Sequence, residues 1–409
     1  MLFPSIKISP ENQFLLLCAR LNWSEKEHEA FSRLIAGKLN WDVVYTGIEQ
    51  NGIVSLVYAN LNKFEVSSSI PVHFWEKLKN DAEAYKRHIM LQRFELWRLL
   101  DSFHKANIPA IPLKGSFLRE TVYPDPALRI SEDLDVLIQP KDVEVAKQVL
   151  RKLGRSPDIS SYNKDQYLPE KRHHLVPYVL LKHDARIEIH WNIARPSQLL
   201  NVDIDGVWQR SSQGKIVDAL AYILSPEDLL LHLALHAACF EKNKFLYPLV
   251  SLRQVIDVAR TVQFYQDQLD WDCLLRRARE WGMQEPLFLM LALAKDLLGA
   301  AEVEPYLEAV KPAQFDWFQY TATRRAIFRL SEVNLLGAET GVMLQFKLAE
   351  TRMAKAQLLW KTLFAEPDVI ASRYLVTKGS KRFILFSVLN PLLLSYRYVR
   401  MSFFNKKGS

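Results

Sequence analysis

Three regimes of apolar spacing divide the chain. Up to about residue 105, apolar side chains recur three and four positions apart, the spacing of helices with one buried face. "SEKEHEAFSRLIAGKL" opens on Ser24 with Glu27 three residues later, the pattern of a capping box. "FWEKLKNDAEAYKRHIMLQRFELWRLLDSFHKANI" is one long amphipathic run that stops before Pro109. From about 108 to 215 the pattern shortens into the strands "AIPL", "LDVLI", "LVPYVLL" and "RIEIHWNI". The helical stretch "KDVEVAKQVLRKLG" lies between the second and third, with Gly154 as its end cap. After 216 helical spacing returns, in "SPEDLLLHLALHAACF", "LVSLRQVIDVARTVQFY", "WDCLLRRAREWG" and "PLFLMLALAKDLLGA". The pattern predicts an α+β chain in three parts: a helical region over 1–105, a core with a small mixed β-sheet over 106–215, and a helical domain over 216–409.

The strand region carries an anomaly. Asp133 and Asp135 interrupt a run in which Leu134, Val136, Leu137 and Ile138 belong to a sheet core. Side chains alternate along a strand, so the two carboxylates share one face, and a buried carboxylate is costly without a positive partner. Glu188 alternates with Ile187 and Ile189 on a later strand, and Arg186 and His190 share its face. Upstream, "AIPL" runs through Lys114, Gly115 and Ser116 into "FLRETVY", a strand, a Gly-Ser turn and a helix start. Such a turn exposes backbone N–H groups to a phosphate, and Gly115 allows close approach. Three carboxylates beside a phosphate-cradling turn make a two-metal phosphoryl- or nucleotidyl-transfer site, because hard divalent cations prefer carboxylate and phosphate oxygens. On this reading Asp133 and Asp135 are paired with metal, not with Lys or Arg, and repel each other without it.

Composition adjusts this picture in three places. The 409 residues carry a net charge of +7, which favours anionic partners such as nucleotides, RNA or acidic lipid. Cys18, Cys239 and Cys273 are isolated and too few for a disulfide framework or a zinc site. The N-terminal "MLFPSIKISPENQ" lacks the basic-then-apolar order of a signal peptide, so the expected location is cytoplasmic. Near the C-terminus, Phe383 to Leu394 is too short to span a bilayer and is interrupted by Pro391. It is expected to be covered by protein, or to meet a membrane surface with help from Lys378, Lys381, Arg382, Arg397 and Arg400. His232 and His236, four apart on one helix, read as packing residues, and Asp257 in "VIDVAR" as structural glue for a basic partner.

The combination of "IPLKGSFLRETVYPDPALRISEDLDVLI", "RIEIHW", "LSPEDLLLHLALHAACF" and "LRQVIDVAR" resembles the bacterial uncharacterised nucleotidyltransferase family, within the DNA polymerase β-like nucleotidyltransferase superfamily. The resemblance implies a nucleotidyltransferase core in the small mixed sheet, using Mg2+ or Mn2+ and an NTP, with ATP expected. It implies that Gly115 and Ser116 form the phosphate turn, and that Asp133, Asp135 and Glu188 form the catalytic metal set. Whether Glu188 ligates metal or acts as a base stays open. Lys114 and Arg129 are candidates for phosphate oxygens, and His190 for orienting Glu188 or the acceptor. The implied reaction moves a nucleoside monophosphate to a hydroxyl or phosphate acceptor and releases pyrophosphate. The acceptor, whether small molecule, peptide, protein or RNA, stays open. Two other readings remain: a non-catalytic nucleotide-binding scaffold, and a membrane-surface accessory protein acting through its C-terminal helix.

Overall fold

The computed structural model describes residues 8–20, 23–64, 70–158, 173–179, 186–194, 200–238, 250–315, 317–328, 360, 380–382 and 384–390. The chain divides into two compact units, one of residues 1–238 and 250–315, the other of 239–249 and 316–409.

The first unit begins with helices α1 (Pro10–Cys18), α2 (Glu25–Ala36), α3 (Trp41–Gln50) and α4 (Val54–Lys63). The capping box forms as the spacing predicts, with the Glu27 carboxylate accepting from the Ser24 N–H at 2.6 Å. The long amphipathic run becomes a single helix, α5 (Val72–Lys105), which packs on α4 and on β7 and buries Phe74, Leu78, Leu96 and Phe103.

The sheet follows. Its strands are β1 (Ala110–Pro112), β2 (Asp133–Ile138), β3 (Ser156–Pro157), β4 (Tyr178–Val179) and β5 (Arg186–His190), in the order β1-β2-β5-β4-β3. β2 and β5 run parallel and the other pairs antiparallel, so the sheet is mixed. Helix α6 (Lys114–Thr121) links β1 to β2 and packs on β2, and α7 (Val143–Lys152) lies between β2 and β3. Leu134, Val136 and Ile138 of β2 and Ile187 and Ile189 of β5 are buried on one face. The alternate positions turn Asp133, Asp135, Arg186, Glu188 and His190 to the other face.

Past the sheet come α8 (Ile204–Arg210), a hairpin of β6 (Ser212–Ile216) and β7 (Ala219–Ile223), and helices α9 (Pro226–Ala237), α10 (Leu252–Phe264), α11 (Trp271–Trp281), α12 (Gln284–Leu298) and α13 (Leu307–Val310). Helical spacing was expected to resume at 216, yet β7 first packs against β1 and α5. The hairpin turns at Val217 and Asp218, with φ of 47° and 64°. Two-residue hairpin turns with positive φ are normally announced by Asn or Gly, and here neither residue is present. Helices α9, α10 and α12 then pack on one another around an apolar core.

The second unit contains α14 (Trp317–Ile327). In the C-terminal basic and apolar segment, 381, 382 and 384–390 are helical, with Ile384, Leu385 and Val388 exposed. Lys378, Phe383, Pro391, Leu394, Arg397 and Arg400 lie outside the described residues. Among the described residues, no helix is long and apolar enough to cross a membrane.

Candidate active site

The parallel register of β2 and β5 sets Asp133 beside Arg186 and Asp135 beside Glu188. Two turns of hydrogen bonding fix the backbone of Asp135: its N–H donates to Ser116 Oγ at 3.0 Å, and its C=O accepts from Leu113 N–H at 2.9 Å. The lead-in to β2 is held from α5, where Gln92 donates to the carbonyls of Ser131 and Glu132 at 2.9 and 3.2 Å. Arg119 in turn donates to Gln92 Oε1.

The two aspartates have opposite environments. Asp135 is buried, and its Oδ1 accepts from Lys114 Nζ at 2.8 Å and from His190 Nε2 at 2.9 Å. Burial works against its ionisation, but the Lys114 ammonium and the His190 hydrogen bond prevail and hold its carboxyl well below the usual carboxylate range. Asp133 makes no hydrogen bond through its buried Oδ1 among the described residues, and Arg186 Nε stands 3.7 Å away, beyond hydrogen-bond reach. Desolvation, then the charges of Glu188 and Asp135, push its carboxyl up to about 7. The expectation that both aspartates lack a basic partner is therefore corrected. Lys114 sits in the strand-to-helix turn with φ 48°, which brings its side chain back onto Asp135; Asp133 has Arg186 as an ion-pair partner at 3.7 Å, although burial and the charges of Glu188 and Asp135 outweigh it.

His190 is also buried, and desolvation lowers its ring below the ordinary 6.5. A neutral ring facing an ionised Asp135 carries its proton on Nε2 and donates it. The same nitrogen lies 3.6 Å from Glu188 Oε2. The rings of His173 and His174 lie tilted against this ring, at 5.3 and 5.1 Å between centroids. Beside them opens a cavity of about 600 Å3, with His174, Tyr178, Trp191, Lys147 and Arg151 among its walls. An apolar and aromatic hollow with cations on its wall has room for the organic part of a ligand.

Ligand atoms of Asp135, Glu188 and His190 all lie within 4.8 Å of one another. The donor set fits a hard divalent cation. The orphaned Asp133 oxygen and the Glu188 carboxylate supply unspent negative charge, as a cation site requires. With its N–H on Asp135, His190 orients a carboxylate, as groups behind metal ligands do.

The other residues singled out from the sequence make internal contacts. Gly115 and Ser116 occupy the first turn of α6, and both are buried. A Cβ on Gly115 would meet Ser131 Oγ at 2.7 Å and Ser131 Cβ at 2.9 Å, so the glycine lets the chain before β2 approach. Ser116 spends its oxygen on Asp135. These contacts differ from those of an open phosphate turn: the pair shapes the site from beneath. Arg129 is buried and grips Asp257 with two bonds of 2.7 Å while also donating to the Ile130 carbonyl. Asp257, expected to pair with a basic residue, finds it in Arg129, and Tyr123 Oη adds a third hydrogen bond at 2.8 Å. Arg129 is thus committed to holding α10 against the chain leading into β2.

The α+β core thus carries a mixed sheet with three carboxylates on one face and a lysine returning onto it. Residues 37–299, well over half of the chain, match the family described as "Uncharacterised nucleotidyltransferase", and the chain belongs to that family. No curated protein and no solved structure matches it.

Proposed function

We propose that the protein is a metal-dependent nucleotidyltransferase that moves a nucleoside monophosphate from an NTP, ATP foremost, to a hydroxyl or phosphate acceptor and releases pyrophosphate. The observation that carries this is the unequal pair of aspartates: Asp135 held ionised by Lys114 and His190, Asp133 left with an unbonded buried oxygen beside Glu188. A structural cluster would neutralise its own charge, and this one leaves negative charge facing inward.

Asp133, Asp135 and Glu188 would hold Mg2+ or Mn2+. When bound, such an ion offsets the charge of triphosphate oxygens and of the transition state. His190 keeps the Asp135 carboxylate in one orientation, and Lys114 places a positive charge where anionic oxygens arrive. The hydroxyl or phosphate oxygen of the acceptor attacks the α-phosphorus, the bond to the β-phosphate oxygen breaks, and pyrophosphate leaves.

Incubation with Mg2+ and α-labelled NTPs, followed by tracing of label into protein, RNA and metabolite fractions, tests the reading. Label transfer with stoichiometric pyrophosphate is expected. A chain that binds no NTP with or without Mg2+ contradicts it. The Lys114–Asp135 ion pair favours a second reading, a non-catalytic nucleotide-binding scaffold, which binds NTP equally well without metal and transfers no label.

A further inference from the structure

Helix α5 carries a second apolar stripe, away from the side that packs into the fold. Its buried side includes Leu78, Ile89, Gln92, Leu96 and Leu99. Met90, Leu91, Phe94 and Trp97 are instead 54%, 65%, 54% and 41% exposed. Met90, Phe94 and Trp97 follow one another at intervals of four and three residues, so they line up along one side of the helix with Leu91 beside them. The Phe94 and Trp97 rings stack at 5.8 Å, and the Arg98 guanidinium sits 5.9 Å from the Phe94 ring. Single exposed apolar side chains are ordinary on a soluble surface, but four large ones in a row mark a surface that a partner covers.

The charges beyond the two ends of the stripe identify the partner. The same side of the helix continues through Arg87 and Glu83 before the apolar row, and through Asp101 and Lys105 after it. A second copy of α5 laid antiparallel, with a two-fold axis at Phe94, sets each residue against the one equally far beyond Phe94. Phe94 then meets its own copy, and Leu91 meets Trp97. Arg87 meets Asp101, each seven positions from Phe94, and Glu83 meets Lys105, each eleven positions away. Lys105 already donates to Asp101 at 2.7 Å within the chain, so the partner's two charges extend that pair into a row of four with alternating sign. Other arrangements lack this match. A parallel pair sets Arg87 against Arg87 and Asp101 against Asp101, and an antiparallel pair centred on residue 92 sets Glu83 against Asp101. Like charges opposed across an interface are costly.

We propose that this side of α5 is a self-association surface, through which two copies of the chain pair antiparallel about a two-fold axis at Phe94. A contact of this kind uses the same patch on both chains and closes on itself. Gln92, two positions from Phe94, turns to the opposite side of the helix, where it holds the carbonyls of Ser131 and Glu132. The pairing therefore stands apart from the candidate site and does not depend on what that site does.

Sedimentation of the full-length chain over a range of concentrations tests this. Wild type is expected to have the mass of two chains, falling towards one on dilution. Arg87→Asp opposes two aspartates at each end of the pair, and Asp101→Arg opposes two arginines. Each variant alone should need a concentration at least about tenfold higher to associate. An equimolar mixture of the two variants restores an Arg–Asp contact at both ends and should associate within about threefold of wild type. Phe94→Glu, which sets two carboxylates on the axis, should have the mass of one chain throughout. Arg87 and Phe94 are exposed and Asp101 half-exposed, so dilute samples of all variants should melt within about 2 °C of wild type. A wild-type chain that stays single at every concentration overturns the proposal. So does a dimer that survives Phe94→Glu, or a mixture of the two charge variants that associates no better than either alone. Should a charge variant misfold, Phe94→Glu decides by itself.

Discussion

Two buried ionic clusters stand close together in the first unit and are built in opposite ways. In the Arg129–Asp257–Tyr123 cluster, both carboxylate oxygens accept, Arg129 donates from three nitrogens, and Tyr123 completes the set. In the Asp133–Asp135–Glu188 cluster, Asp133 Oδ1 and Arg186 Nε are left without hydrogen bonds among the described residues. The first cluster is closed to solvent, whereas the second is half-open at Asp133 and Arg186. A satisfied network holds the fold together; under the proposed function, the groups left over in the other receive a cation and a nucleotide. Arg129 and Asp133 are four residues apart in the sequence, yet one is fully committed inside the protein and the other is not.

The sharpest way to break the comparison is to strand a charge in the satisfied cluster. Asp257→Asn leaves the Arg129 guanidinium buried without its counter-charge and is expected to cost about 3–5 kcal/mol in urea unfolding. Nucleotide affinity should fall only as far as the folded fraction does. A variant that unfolds like wild type would remove the contrast. Asp135→Asn should follow with about 2–3 kcal/mol, because Lys114 and His190 lose an ionised partner but Lys114 retains some access to water. Unlike Asp257→Asn, it should also reduce label transfer by at least about a hundredfold under conditions where it remains folded.

Asp133→Asn should have the smallest effect on stability and the opposite sign. Its carboxyl binds a proton more readily in the folded chain, near 7, than at the ordinary 3.8, so folded protein holds more protons between these values. Stability is therefore lost as pH rises from about 4 to about 7 and the penalty is fully present above that. Asp133 is 33% exposed at its side chain, and solvent screening limits the penalty to about 1–2 kcal/mol. In metal-free buffer at pH 8, Asp133→Asn should melt higher than wild type, and at pH 4 the two should coincide. A gain that persists at pH 4 would assign the effect to packing.

Much of this was legible along the chain. Alternation around Leu134, Val136 and Ile189 set the sheet faces, and the Ser24–Glu27 spacing formed its capping box. Alternation also paired Asp133 with Asp135 and Glu188 with His190, each on one face of its own strand, and the parallel register of β2 and β5 joins the two pairs. Three features were not legible. The β6–β7 hairpin turns on Val217 and Asp218, whose positive φ no residue type announces. Lys114 reaches Asp135 through a left-handed backbone conformation, which spacing does not encode. His232 reads as packing by helical period, and only the tertiary fold shows that its ring has no hydrogen-bond partner among the described residues. Arg129 was a phosphate candidate through its place before the Asp-x-Asp strand and the family resemblance, while its partner is 128 positions away.

The central claim is that the orphaned carboxylate of the second cluster is satisfied by a divalent cation carrying a nucleotide. Thermal melts of wild type and Asp133→Asn at pH 8, each titrated with ATP at fixed Mg2+ and again in EDTA, test it most directly. The predicted result is a wild-type melting temperature that climbs with ATP only when Mg2+ is present, and an Asp133→Asn curve that starts higher and barely moves. Equal climbs in both proteins, or a wild-type climb undiminished by EDTA, would contradict the account.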